Sequence, residues 1–134
     1  MKIVAQGQSY FTPSDGLSAA QNMLQSNPNL NLIVGSDQGI EGAQQAVAGA
    51  GKTGQVILVG YGASAAALRG IASGAWYGDV AQLPASEGRL AVEDLVSAIR
   101  TGISSGGVDP VAALPGGGVI TKDDVKLFHA EWPG

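Results

Sequence analysis

The sequence predicts an α/β fold, a parallel sheet flanked by helices on both faces. The first observation is a recurrent unit. Short apolar runs containing β-branched residues (Leu30–Val34, Gln55–Gly60, Trp76–Gln82) each lead directly into a helical pattern. The second is punctuation: the runs stop at turn residues such as Gly35-Ser36-Asp37 and Gly60-Tyr61-Gly62. The third is the small residues of the helical stretches, Ala46, Ala48 and Ala50, then Ala65, Ala66 and Ala67, which suit helices lying close on a sheet. Strand and helix alternating in this way imply parallel pairing with right-handed crossovers. At 134 residues, 45% of them apolar, the chain is one domain with a real core.

Taken in order, Lys2–Gln6 alternates weakly around Ile3-Val4 and reads as a strand. Gly7–Pro13 is a loop carrying Tyr10 and Phe11, and Ser14 or Asp15 is placed to cap the helix that follows. That helix puts Leu17, Ala20, Met23 and Leu24 on one face and ends near Ser26, before Asn27-Pro28-Asn29. After the Leu30–Val34 strand, a helix from about Gln38 to Ala50 presents Ile40, Ala43, Ala46 and Val47, with Gly51 suited to the left-handed position beyond its end. Gln55–Gly60 is the strongest buried strand, Ser64 to Ala72 a third helix stopped by Gly74, and Trp76–Gln82 a fourth strand. Pro84 opens a helix reaching about Arg100, with Leu90, Val92, Leu95, Val96 and Ile99 as its apolar positions. Gly102–Gly107 and Pro115–Gly118 break the chain, Val119-Ile120 is a short strand candidate, and Thr121 with Asp124 resembles a helix start. Trp132-Pro133-Gly134 reads as a tail.

Composition narrows the function classes. Net charge is −4, and the seven Lys and Arg residues are scattered, which excludes the basic face that nucleic acid requires. No apolar run approaches the roughly 20 residues of a membrane span. Met1-Lys2-Ile3-Val4 lacks the apolar region and cleavage site of a signal peptide, so the chain as written is expected to be soluble and not exported. Without Cys, disulfides and thiolate metal sites are excluded.

The strands' carboxyl ends are where open α/β sheets bind ligands. The loops there hold Tyr10 and Phe11, then Ser36 and Asp37, then Tyr61 and Gly62, and finally Gln82. Aromatic, hydroxyl and amide groups converging on one edge form a small-molecule site.

Those residues, in that order, resemble a known family. The chain carries Ser9-Tyr10-Phe11, Asn22-Met23-Leu24, Leu32-Ile33-Val34-Gly35-Ser36-Asp37, Val59-Gly60-Tyr61, Val80-Ala81-Gln82-Leu83-Pro84 and Gly118-Val119-Ile120-Thr121-Lys122-Asp123. It looks like the carboxyl-terminal lobe of a ribose-type periplasmic sugar-binding protein, whose fold lactose-repressor-type regulators share. The resemblance implies a sugar or polyol held between two lobes and delivered to the membrane subunits of an ABC importer. It implies a full-length protein that is periplasmic, or extracellular and membrane-anchored. It implies no cofactor and no catalysis. By position, Phe11 matches an aromatic stacking on the sugar ring, and Ser36 a residue binding hydroxyls with Asp37 beside it. Tyr61 matches the aromatic after the Val-Gly strand end, and Gln82 a hinge amide. Gly62 departs from the pattern, standing where sugar binders commonly carry an Asp that grips two hydroxyls. The amino-terminal lobe and the first strand–helix unit of the second lobe are missing from the match. The chain is therefore expected to be a fragment that exposes apolar surface and self-associates.

Other readings are weaker on the residues. Gly60-Tyr61-Gly62-Ala63-Ser64-Ala65 fits part of a dinucleotide fingerprint, but Asp79 lies inside its strand rather than at the end, so a plain tight turn is the expectation. His129, the single histidine, has no catalytic neighbours, and the adjacent pairs Glu93-Asp94 and Asp123-Asp124 do not share a helix face. No P-loop, zinc site or nucleophile elbow is present. The alternatives are a small flavodoxin-like nucleotide-binding domain or enzyme, and the effector-binding domain of a sugar-responsive regulator.

Overall fold

The computed structural model describes all 134 residues. Four strands form one sheet in the order β1-β2-β3-β4: β1 (Leu32–Val34), β2 (Ile57–Val59), β3 (Gly78–Val80) and β4 (Val119–Thr121). β1, β2 and β3 pair in parallel, and β4 lies antiparallel to β3 with Val80 opposite Val119. The sheet is thus mixed, not wholly parallel. The reason is local. Gly116, Gly117 and Gly118 all take left-handed angles (φ 60, 64 and 85°), a run that only glycine adopts easily, and they turn the chain into the sheet beside the carboxyl end of β3. There Ala81 N–H donates to Gly118 O at 2.7 Å, so β4 runs back down the sheet.

Helix α1 (Pro13–Ser26) is capped by Thr12, whose Oγ1 accepts from Asp15 N–H; the capping residue lies just before the expected Ser14 or Asp15. Helix α2 (Asp37–Gly49) is capped by Ser36 and α3 (Ala65–Ser73) by Ser64. Gly51 takes the left-handed position expected of it, at φ 68°, and Gly74, which stops α3, is left-handed too, at 82°. Thr121 and Asp124 do bond to each other, Thr121 N–H donating to Asp124 Oδ1 at 2.7 Å, but only a single 3-10 turn (Val125–Leu127) follows.

The core gathers on one face of the sheet. Ile33, Leu58 and Ile120 pack there with Ile40, Ala43 and Val47 of α2 and Ala67 and Ile71 of α3. Along each strand the alternate side chains point the other way, and Val34, Ile57, Val80 and Val119 stay exposed. Helix α4 (Pro84–Thr101) buries no residue, so it does not cover that second face. The expectation of helices on both faces therefore holds for one face only.

The expected strand at Lys2–Gln6 does not form. None of its backbone groups pairs with β1, and the segment faces β1 across a cleft of about 970 Å³ lined by residues 1–8, Met23 and residues 29–34. Ile3 and Val4 are exposed, so no burial holds the segment in register.

Candidate functional site

β1, β2 and β3 lie side by side and parallel, so the loops leaving their carboxyl ends emerge as neighbours along one rim. Ser36 follows β1, Tyr61 follows β2 and Gln82 follows β3. Pairing continues beyond the regular strands: Gly62 N–H donates to Val80 O at 2.9 Å, bridging Gly62 to Ala81. That extension sets Tyr61 and Gln82 together, and the Gln82 amide nitrogen donates to the Tyr61 hydroxyl. Ser36 is half-buried, and its Oγ lies 3.4 Å from Ser9 Oγ in the loop that carries Phe11. Ser36, Tyr61 and Gln82 thus share one rim, and the loop that carries Phe11 meets it through Ser9.

The Phe11 loop holds unusual backbone. Tyr10 and Phe11 both have left-handed angles (φ 45° and 56°), in a turn closed by Thr12 N–H to Ser9 O at 2.8 Å. For aromatic residues that conformation is strained and persists only where surrounding contacts impose it. Here Ser9 and the Thr12 cap fix either side of the turn, and both aromatic rings stay exposed, Phe11 at 73%.

Asp37 stands apart from the rim. It is fully buried, and its Oδ2 accepts from Ser64 N–H at 2.7 Å. Beside it, on β3, Asp79 is also buried, its Oδ1 accepting from Gly62 N–H at 3.1 Å and Ala63 N–H at 3.0 Å. The carboxyls therefore hold the Tyr61 loop from beneath. Burial pushes the Asp79 carboxyl up to about 8, reinforced by the hydrogen bond and the charge of Asp37, and the N–H groups of Ala63 and Gly62 offset part of this. In the sequence, Asp79 counts only against a nucleotide site. An acidic residue inside an apolar strand is itself a signal, because unpaired carboxylates are seldom buried.

Trp132, part of a tail in the sequence, also takes a structural place beside the rim. Its Nε1 donates to Gly62 O at 2.8 Å, and the tail folds onto the start of α3. Ala65 N–H donates to Trp132 O and Ala66 N–H to Pro133 O, at 3.0 and 3.1 Å. The free N–H groups of the α3 amino end, which a dinucleotide phosphate would need, are thus already occupied by the chain itself. That removes the physical basis of a nucleotide site at Gly60–Ala65. No three His, Cys, Asp or Glu side chains gather as a metal set, and no helix is long and apolar enough to cross a membrane.

Residues 1–103 match the periplasmic binding protein domain. The chain belongs to that family. This periplasmic binding protein domain is 36% identical over 103 residues to the D-allose-binding periplasmic protein of Escherichia coli, a match covering 76% of the chain and 33% of the relative. Among solved structures it resembles a periplasmic solute-binding protein of an ABC transporter from Actinobacillus succinogenes with bound D-allose. There the TM-score is 0.82 at 29% identity, covering 95% of this chain and 44% of that one. It also resembles an ABC transporter solute-binding protein from Bacillus halodurans with bound myo-inositol, at TM-score 0.76 and 27% identity, covering 94% and 42%. The chain thus spans about a third of the curated relative's length and less than half of either structure's chain.

Proposed function

We propose that this chain is one lobe of the substrate-binding component of a sugar ABC import system, and that its rim takes a sugar or polyol. The observation that carries the proposal is the alignment of Ser36, Tyr61 and Gln82 at the carboxyl ends of three adjacent parallel strands, with the Phe11 loop held beside Ser36 through Ser9. Each group has a task suited to a polyhydroxylated ring. The exposed faces of Phe11 and Tyr61 stack on ring C–H surfaces. The Ser36 hydroxyl and the Gln82 amide both donate to and accept from ligand hydroxyls. Asp37 supports the site from below, as a ligand of the Tyr61 loop's backbone. Gly62 brings no carboxylate to the rim, so hydroxyl recognition rests on neutral groups, and the preferred ligand is a polyol or a sugar lacking the usual two-point grip.

The reading involves no bond making: the site captures and releases. Full affinity needs a second lobe closing over the rim, and the partners are that lobe and the membrane subunits of the importer. The working protein is periplasmic, or extracellular and membrane-anchored. The exposed Val34, Ile57, Val80 and Val119 and the cleft beside β1 are the surfaces that the rest of the binding protein covers.

The test is an NMR titration of the chain with D-allose and with myo-inositol. Weak binding is expected, with shifts confined to Phe11, Ser36, Tyr61 and Gln82 and abolished by Tyr61→Ala. Shifts confined to other surfaces would reject the rim. Micromolar affinity from this chain alone would reject the two-lobe requirement.

A further inference from the structure

Beneath the rim lies a pair of carboxyls whose contact with each other the proposed binding function does not use. Asp37, at the start of α2, is 0% exposed and Asp79, on β3, is 2% exposed. Each spends one oxygen on backbone N–H groups of the same loop, Asp79 on Gly62 and Ala63, Asp37 on Ser64. The remaining two, Asp37 Oδ1 and Asp79 Oδ2, have no other partner. They converge on Gly60, where a Cβ would collide with Asp79 Oδ2 and lie 2.7 Å from Asp37 Oδ1. Trp76 closes the same space, 2.9 Å from that position, and Trp132 closes it over Gly62. Two carboxylate oxygens, which can only accept, face the same buried space, and a proton between them is what makes their contact attractive.

No cation balances the pair. The one charged group acting on Asp79 is Asp37. β2, the residue 60–64 loop and β4 bring no Lys, Arg or His against the pair, and the acidic Glu41 of α2 sits against Gly134 of the tail. The loop above is held in a costly shape: Ala63, a non-glycine residue, has φ 51° and is buried, and its N–H is bonded to Asp79.

We propose that Asp79 is the positioning residue of the Tyr61 loop, sharing one proton with Asp37, so that the rim is ordered while the pair carries a single negative charge and loosens when it carries two. The functional consequence rests on the reading of Tyr61 as a ligand contact; the proton-sharing pair does not. Losing the shared proton places two like charges in contact, and the easiest relief is to swing the carboxyls apart, which pulls Gly62, Ala63 and Ser64 with them. The sign follows from the raised carboxyl. Between the ordinary carboxylate range and about 8, the folded chain holds a proton that the unfolded chain has lost. Raising the pH across that window therefore favours unfolding, by up to about tenfold in the folded-to-unfolded ratio per pH unit for one proton, and stability levels off above it.

The experiment follows the amide signals of Gly62, Ala63 and Ser64 from pH 5.5 to 9.5, together with the melting temperature. The wild type should show one shared titration near pH 8, faster amide exchange above it, and a melting temperature that falls up to that point. Asp79→Asn keeps an oxygen for the two N–H groups and gives Asp37 a donor, so it should remove the titration and flatten the melting profile. Constant wild-type amides across the range would overturn the proposal, as would an unchanged titration in Asp79→Asn. If the variant does not fold, the wild-type carboxyl signal of Asp79 decides the question alone. Sugar-induced shifts at the rim are scored separately: their absence with the titration present rejects the binding reading and leaves this one standing.

Discussion

Substituting one methyl group into α2 should separate close packing from helix propensity. Gly42 sits inside α2 where α1 crosses it, and Gly16 and Gly39 are the other small residues at the crossing. A Cβ on Gly42 would fall on the carbonyl oxygen of Pro13 and the amide nitrogen of Leu17, and 2.8 Å from the Gly16 carbonyl carbon. These are backbone atoms of α1, so no side-chain rotation relieves the overlap; the helix itself must move. Propensity favours the substitution, because alanine is about 1 kcal/mol better than glycine in a helix interior. Overpacking opposes it at about 1–3 kcal/mol, and more where backbone is struck. The net expectation for Gly42→Ala is a loss of about 1–2 kcal/mol or more, a melting point lower by several degrees in a domain of this size. Gly88→Ala, in α4 with open space around it, provides the control. There propensity acts alone, and stability should rise by about 0.5–1 kcal/mol. Thermal melts and urea midpoints at constant m measure both. Because α1 begins one residue after Thr12, displacement of the helix should also shift the Ser9–Phe11 amides. A Gly42→Ala protein as stable as the wild type, with those amides unmoved, would refute the close approach of the two helices.

Other expectations rest on the carboxyl-terminal segment. Glu131 accepts from Ser86 N–H at 2.9 Å and from the Ser86 hydroxyl, capping the amino end of α4, whose own Leu83 supplies no side-chain cap. Its partial burial acts to raise the carboxyl, but the Ser86 and Ala85 hydrogen bonds and the Arg89 charge outweigh that and hold it below the ordinary range. A lowered carboxyl stabilises above its ordinary value and stops doing so as the pH falls through the folded value. Glu131→Gln should therefore lower the melting temperature at pH 7, with the gap narrowing toward pH 3; a pH-independent gap would reject the charged cap. Deleting Trp132–Gly134 strips the partners of Ala65 and Ala66 N–H and of Gly62 O, so the truncated chain should lose at least about 2 kcal/mol in denaturant melts.

The sequence made legible what is local. The strand at Ile57–Val59 and the approximate starts of α2 and α3 follow from patterns within a dozen residues, and the glycines beyond helix ends likewise. The rim was legible for the same reason: once strands alternate with helices, Ser36, Tyr61 and Gln82 must leave by the same edge. What escaped is what long-range partners decide. Lys2–Gln6 has a strand's composition, yet its backbone makes no bond to the open edge of β1. The direction of β4 depends on where a glycine run delivers the chain, not on Val119-Ile120 itself. Trp132 finds its partner Gly62 across 70 residues, and Asp79 finds Asp37 only when β3 lies beside β2. In each case the residue type hinted at an unmet need, a buried charge or a large ring in a tail, while its solution lay elsewhere in the chain.

The exposed apolar residues divide into two kinds, and the division bears on how the lobe behaves alone. Phe11 and Tyr61 sit in loops whose backbone is held by specific hydrogen bonds, as befits side chains displayed for contact with a small ligand. Val92, Leu95, Val96 and Ile99 sit instead on regular helix, exposed by 61, 61, 38 and 75%, at the three- and four-residue spacing of a packed face. A helix presenting such a stripe with no buried residue is unfinished rather than functional on its own. Self-association through α4 is therefore expected at high concentration. Leu95→Lys with Ile99→Lys should return the chain to a monomer in sedimentation velocity, while sugar-induced shifts at Tyr61 and Gln82 persist. A wild-type chain that sediments as a monomer at millimolar concentration would show that the α4 stripe does not associate. Loss of the sugar-induced shifts in the lysine variant would show that the helix and the rim are not separate surfaces.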